Sequence, residues 1–161
     1  MKRIALFILL SFSTAIAFAQ SPLKPVASID LTKFSGKWYL ISRLPNKLDK
    51  NLSNVSVDYT AKGMKLKEVF MGTKESGKEV KIKSTNTYKE NGTFKGPLGK
   101  HYLVIMLGSN YEYFVMATED RKNVWVMSRG KTIDNNTYNG ILSDLVSRQI
   151  ETTQLVAMQQ K

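Results

Sequence analysis

A single histidine, His101, and no cysteine stand beside 24 lysines and arginines in 161 residues. Residue type alone therefore excludes a thiolate nucleophile, a Cys–His pair and a Cys/His metal centre. His101 opens an apolar run and reads as a strand-end residue. No acid and base cluster within the apolar segments, so the chain is expected to be a non-enzyme with no metal or organic cofactor. Two kinds of chemistry remain. Aliphatic and aromatic side chains recur at every second position and could enclose an apolar molecule. Lysines interleave with them and could meet an anion. The formal net charge is +11, much of it between Lys62 and Lys100. A basic exported protein meets anionic lipid headgroups more readily than nucleic acid, and nucleic acid fits poorly because few aromatics interleave with the basic positions. The plainer reading is a solvated, lysine-coated sheet face that resists edge pairing.

The apolar candidates come from alternation. They are Val55, Val57 and Tyr59; Val80 and Ile82; Tyr113 and Val115; Trp125 and Met127. Met71, Tyr88, Phe94, Met106 and Phe114 have a less definite register. Each of these residues could line a ligand site or simply fill a core.

Eight strand patterns must position them: 36–43, 54–60, 64–72, 78–88, 93–96, 101–107, 111–118 and 124–129. Alternation blurs at Glu68-Val69, which suggests a bulge. Turn signals separate the strands, Asn91-Gly92 being a hairpin signal. No helix intervenes. The period then changes: Tyr138, Ile141, Leu142, Leu145, Val146 and Ile150 fall at helical spacing, with Asp134 or Thr132 as cap. A short strand or tail at 154–158 follows. The fold expected is all-β, an eight-stranded antiparallel up-and-down barrel with a C-terminal α-helix packed on it. Eight strands enclose a space just wide enough for one small ligand, and a sandwich is the rival arrangement.

The first residues, "MKRIALFILLSFSTAIAFA", carry a basic start, an apolar run and small residues before Gln20. They read as a signal peptide, 1–19. The rival reading, a membrane anchor, would need about 20 apolar residues. Removing Lys2 and Arg3 takes the net charge from +11 to +9. Residues 20–28 read as a flexible lead-in or extended arm, and 29–161 as one domain. Sequons begin at Asn51, Asn54, Asn91 and Asn135, and bear on the chain only in a eukaryotic secretory route.

"LTKFSGKWYLISRLPN", 31–46, resembles the first sequence block of the lipocalins, especially the bacterial members related to apolipoprotein D. The resemblance runs through residues 29–160. It implies a short 3₁₀ turn at Leu31–Phe34 crossing the closed barrel end, and Gly36-x-Trp38 starting the first strand with the indole in the floor. A loop Asp between the seventh and eighth strands is supplied by Asp120 in "ATEDRKN". An Arg lying across the Trp ring is supplied by Arg129, ending "VWVMSR". The floor group so implied is Gly36, Trp38, Asp120 and Arg129. The segment "GTFKGPLGK" departs from the pattern at Pro97, and the usual family disulfide is absent. So is the lipid-anchor cysteine common in bacterial members, and a soluble, unanchored periplasmic or secreted protein is expected. The resemblance implies transport or storage of a small hydrophobic ligand such as a fatty acid or lysophospholipid. Two alternatives stay open: a module that binds anionic membrane through its lysine-rich face, and a lipocalin-fold enzyme. The prostaglandin-isomerising type of enzyme relies on a cysteine, which this chain lacks.

Overall fold

The computed structural model describes residues 21–46 and 51–161, and the expected signal peptide lies outside them. A single helical turn, α1 (Leu31–Phe34), leads into β1 (Gly36–Arg43). Seven further strands follow in hairpin order: β2 (Leu52–Lys62), β3 (Lys65–Lys74), β4 (Glu79–Tyr88), β5 (Thr93–Lys95), β6 (His101–Leu107), β7 (Tyr113–Ala117) and β8 (Val124–Ser128). Then come α2 (Asn135–Ser147) and a two-residue strand, β9 (Val156–Ala157). From β1 to β8 each strand pairs antiparallel with the next, and β1 pairs with both β8 and β2, so the sheet closes on itself. Closure leaves no long edge exposed for pairing with another chain.

α1 was expected as a 3₁₀ turn. Its amides bond four residues back, Phe34 N–H to Asp30 O and Ser35 N–H to Leu31 O, so it is one α-helical turn. Asp30 caps it by accepting from the Thr32 and Lys33 amides. No bulge falls at Glu68-Val69: β3 keeps an unbroken register with β4 through that point, and the irregularity lies in β2, between Ser53 and Ser56. The lead-in is extended and bonded, with Leu23 buried and the Val26 N–H donating to Val104 O.

Two apolar clusters form. One fills the barrel, with Phe34, Trp38, Tyr59, Phe94 and Phe114 at its centre. The other lies between the outer faces of β6, β7 and β8 and the helix α2, where Val115, Val124 and Val126 meet Ile141 and Leu145. Asp134 caps α2 by accepting from the Thr137 amide, and the Tyr138 hydroxyl bonds Ser42 Oγ. Strands β6 to β8 are thus covered on both faces, which is why their sequences are apolar at nearly every position rather than alternating.

The C-terminal tail seals one seam. The β1–β2 ladder ends at Tyr39 opposite Ser56, and β9 pairs with β1 at Ser42 and Arg43. Gln160 Nε2 donates to the carbonyls of Leu40 and Val55, 2.8 Å from each. These carbonyls lie just beyond the last ladder pair and need donors. Gln160→Ala should therefore lower stability by about 1–3 kcal/mol, two hydrogen bonds' worth, read as a lower urea midpoint with an unchanged m-value.

Candidate ligand cavity

The floor is built first. Gly36 opens β1 with φ +97°, a conformation strained for any other residue. A Cβ there would stand 3.2 Å from Arg129 Nη1. The glycine thus lets the chain turn sharply from α1 and lets the guanidinium approach. Trp38 is fully buried, and its indole N–H donates to Phe34 O at 2.8 Å. The guanidinium carbon of Arg129 lies 3.7 Å from the Trp38 ring centroid. Its nitrogens donate to Lys33 O (2.6 Å), Ser35 O (2.9 Å), Lys37 O (3.0 Å) and Tyr111 O (3.3 Å). Burial lowers the Arg129 pKa, while the nearby Asp58 charge raises it. One cation thereby ties α1, the start of β1 and the β6–β7 turn over a single indole.

Asp120 is not part of this group. It sits in the β7–β8 turn, and β8 runs from that turn down to Arg129, so Asp120 occupies the opposite barrel end. There its carboxylate accepts from Thr118 Oγ1 (2.6 Å) and the Lys122 amide (3.1 Å). The Thr118 hydroxyl bond is the main reason its pKa is lowered. Its role is to hold a turn in which Arg121 has φ +57°. The loop that reaches Arg129 is the preceding one, through Tyr111, whose hydroxyl also accepts from the Asp30 amide.

Above the floor the barrel holds a cavity of about 260 Å³. Of the candidates, Val55, Val57, Tyr59, Ile82, Trp125 and Met127 line it. Val80 shares the face of Ile82 but lies two residues nearer the open end, off the wall. Tyr113 and Val115 are corrected: both face α2, Val115 fully buried there. Directly opposed residues in a ladder share a face, and Phe114 pairs with Met127 and Met116 with Trp125. Phe114 and Met116 are therefore the inward residues of β7. With both faces buried, alternation within β7 alone could not fix its parity, but pairing with β8 does.

Of the less definite residues, Phe94 and Phe114 line the cavity, Tyr88 belongs to the interior cluster, and Met106 packs on the α2 side. Met71, opposite Ser56, has the parity of Val69 and the outward lysines.

Sequence reasoning also missed a polar group on the wall. Glu68, Ser84, Asn86 and Tyr102 all line the cavity. The signal was present, since Leu66, Glu68 and Phe70 continue one parity of β3 while Lys65 and Lys67 hold the other. Asn86 Nδ2 donates to Glu68 Oε2 at 2.8 Å. Burial, and then the Glu68 charge, raise the pKa of both Tyr59 and Tyr102.

The cavity opens at the end away from Arg129. Because β5 has only three residues, the wall is low at the 97–99 turn, where Leu98 stands 98% exposed with φ +57°. Lys100, Tyr102 and Trp125 line both the cavity and a broader groove across this rim.

A closed antiparallel barrel, plugged at one end and open at the other onto an apolar interior, is the class of β-barrel whose interior has room for one small molecule. The chain belongs to the lipocalin-like family, whose lipocalin-like domain matches residues 29–160; lipocalins are known for binding small hydrophobic ligands. It is 26% identical over 148 residues to the outer membrane lipoprotein Blc of Vibrio cholerae, covering 86% of each chain. It is 22% identical to the outer membrane lipoprotein Blc of Escherichia coli K12, covering 84% of this chain and 81% of that one. Among solved structures, the cockroach allergen Per a 4 superposes with a TM-score of 0.72 at 18% identity, over 84% of this chain and 91% of that one. Insecticyanin of the tobacco hornworm superposes at 0.65 and 18% identity, over 84% and 83%. These likenesses give the fold. Among the described residues no helix is long and apolar enough to cross a membrane.

Proposed function

We propose that the protein, once exported, binds a single-chain lipid of the fatty-acid or lysophospholipid kind inside the barrel and transports or stores it. The observation that carries this reading is the 260 Å³ interior, walled by Val57, Phe70, Ile82, Met116 and Met127 and open at one end only. That volume lies just under the usual range of about 300–1,000 Å³ for ligand sites, which suits one slender chain. Two methionines on the wall permit adaptation to several chain shapes. Export without a thioether-linked lipid belongs to the same reading and rests on the absence of cysteine. So do binding without catalysis and a division into residues 1–19, 20–28 and 29–161.

Burying about ten methylenes contributes roughly 8 kcal/mol gross. Lost motion takes back several of these, and head-group bonds restore some. A dissociation constant of about 1–100 μM is expected. Titration with lysophospholipids below their micellar concentration should change the fluorescence of Trp125, which lies on the wall, and Trp125→Phe should remove most of that change. Trp38 is sealed beneath Arg129 and should respond little. Absence of saturable binding by any single-chain lipid would sink the reading.

One observation favours contact with an anionic lipid surface as a second reading. Leu98 projects from the cavity rim between Lys95 and Lys100. Association of that kind should weaken as salt is raised, whereas burial of a chain in the cavity should not.

A further inference from the structure

Glu68 is the feature of this barrel that a purely apolar carrier does not need. It is half-buried, points into the cavity, and pairs across the ladders with Tyr59 and Ser84. Val57, Phe70 and Ile82 are the next inward residues towards the mouth. The carboxylate therefore lies deeper than an apolar band, not at the rim. A carboxylate removed from water is costly unless paired and hydrogen-bonded. Glu68 receives the Asn86 amide, and among the described residues it forms no ion pair. Lys100 is the one cation on the cavity wall among the described residues, and its side chain is exposed at the rim.

We propose that Glu68, with Ser84, Asn86, Tyr59 and Tyr102 around it, forms a head-group subsite for a protonated amine. The protein would then prefer single-chain alkylamines to free fatty acids of equal length. The inference rests on the cavity being a site for a single chain, and it replaces the fatty-acid head group named above with a cationic one. An ammonium brings three donors and no acceptor. One can meet the carboxylate and the others the Ser84 and tyrosine oxygens. The rings of Tyr59, Phe94 and Tyr102 add faces towards which a cation is drawn. A fatty-acid carboxylate at the same depth would meet the Glu68 carboxylate as a like charge in one poorly solvated space, where repulsion is stronger than in water. Burial first, and the Glu68 charge second, raise the pKa values of Tyr59 and Tyr102. The chain thus segregates charge by face. Lys65, Lys67, Lys81 and Lys83 point out from β3 and β4, while Glu68 points in. Attraction by the whole protein favours an anion, and attraction inside the cavity favours a cation.

The test is calorimetric titration of the mature protein with dodecylamine, dodecanol and dodecanoate, each below its micellar concentration, at pH 7 and 150 mM salt. Dodecylamine should bind roughly tenfold or more tighter than dodecanol, the scale of a charge-assisted hydrogen bond, and dodecanoate weakest of the three. Glu68→Gln keeps the side-chain shape and an acceptor for Asn86. It should erase the amine preference and raise dodecanoate affinity relative to dodecanol. Lys100→Gln should leave the order intact. Dodecanoate binding as tightly as dodecylamine, or an amine preference that survives Glu68→Gln, would overturn the subsite while the cavity reading stands. If none of the three binds, the cavity reading itself fails.

Discussion

Trp38→Ala should be among the most destabilising single substitutions in this protein, lowering stability by about 3–5 kcal/mol, as for other fully buried aromatic truncations. The indole is wholly inaccessible, touches Phe34 and Phe114, and covers the barrel floor. Arg129→Ala should cost about 2–4 kcal/mol. Its fork serves four carbonyls from three segments, and bonds to a charged donor are worth about 1.5–3 kcal/mol each where water cannot replace them. Some of those carbonyls are exposed and water will replace the donor there, so the four do not sum. The double variant should fall short of the sum of the singles by about 0.5–2 kcal/mol, the range for a cation on an indole face. Urea melts of the wild type, both singles and the double would measure this. A coupling of zero would mean that the 3.7 Å stacking contributes nothing and that Arg129 acts through its carbonyls alone.

The strands that face water on one side were legible in the sequence, and those buried on both sides were not. In β2, Val55, Val57 and Tyr59 alternate with polar neighbours, and all three point inward as alternation implies. In β7, "YFVMA" offers apolar residues at both parities because α2 covers the outer face. Within β7 alone, Tyr113 and Val115 are no better marked as inward than Phe114 and Met116, and only pairing with Met127 and Trp125 of β8 separates the two faces.

Glu68 escapes the alternation pattern for a different reason. An acid where an inward apolar residue was expected looked like an irregularity of the backbone. The backbone is regular, and the departure is chemical. Asp120 failed because an acid in a turn has a local use: the Thr118 and Lys122 bonds explain it with no distant partner. The approach of Tyr111 and the seam filled by Gln160 join residues 18 and 120 positions apart from their partners, Arg129 and Leu40. No local pattern reports contacts of that span. The helix was legible because its caps are local: Asp134 precedes it and bonds the Thr137 amide.

The register of β7 has a consequence that separates stability from binding. Phe114→Ala should cost about 3–5 kcal/mol, since its ring lies 4.7 Å from that of Trp38 and 4.8 Å from that of Phe34. Phe114 also lines the cavity, so the space left by its ring adjoins the space a ligand chain occupies. For an uncharged chain such as an alkanol, inserted tail first, the variant should favour lengths greater by about two to four methylenes, each buried methylene contributing about 0.8 kcal/mol if the floor does not collapse, whereas an amine whose head sits at Glu68 should show no such shift. Val115→Ala removes a side chain that is just as inaccessible but faces Ile141 and Leu145. It should cost about 1–3 kcal/mol and leave both affinity and chain-length preference unchanged. Melts and titrations with a ten-to-sixteen-carbon alkanol series on both variants make the comparison. A shift in chain-length preference on Val115→Ala, with none on Phe114→Ala, would mean that β7 presents its other face to the cavity. If neither variant shifts the preference, the ligand chain does not reach the floor, and the barrel holds it higher, among Phe70, Ile82 and Trp125.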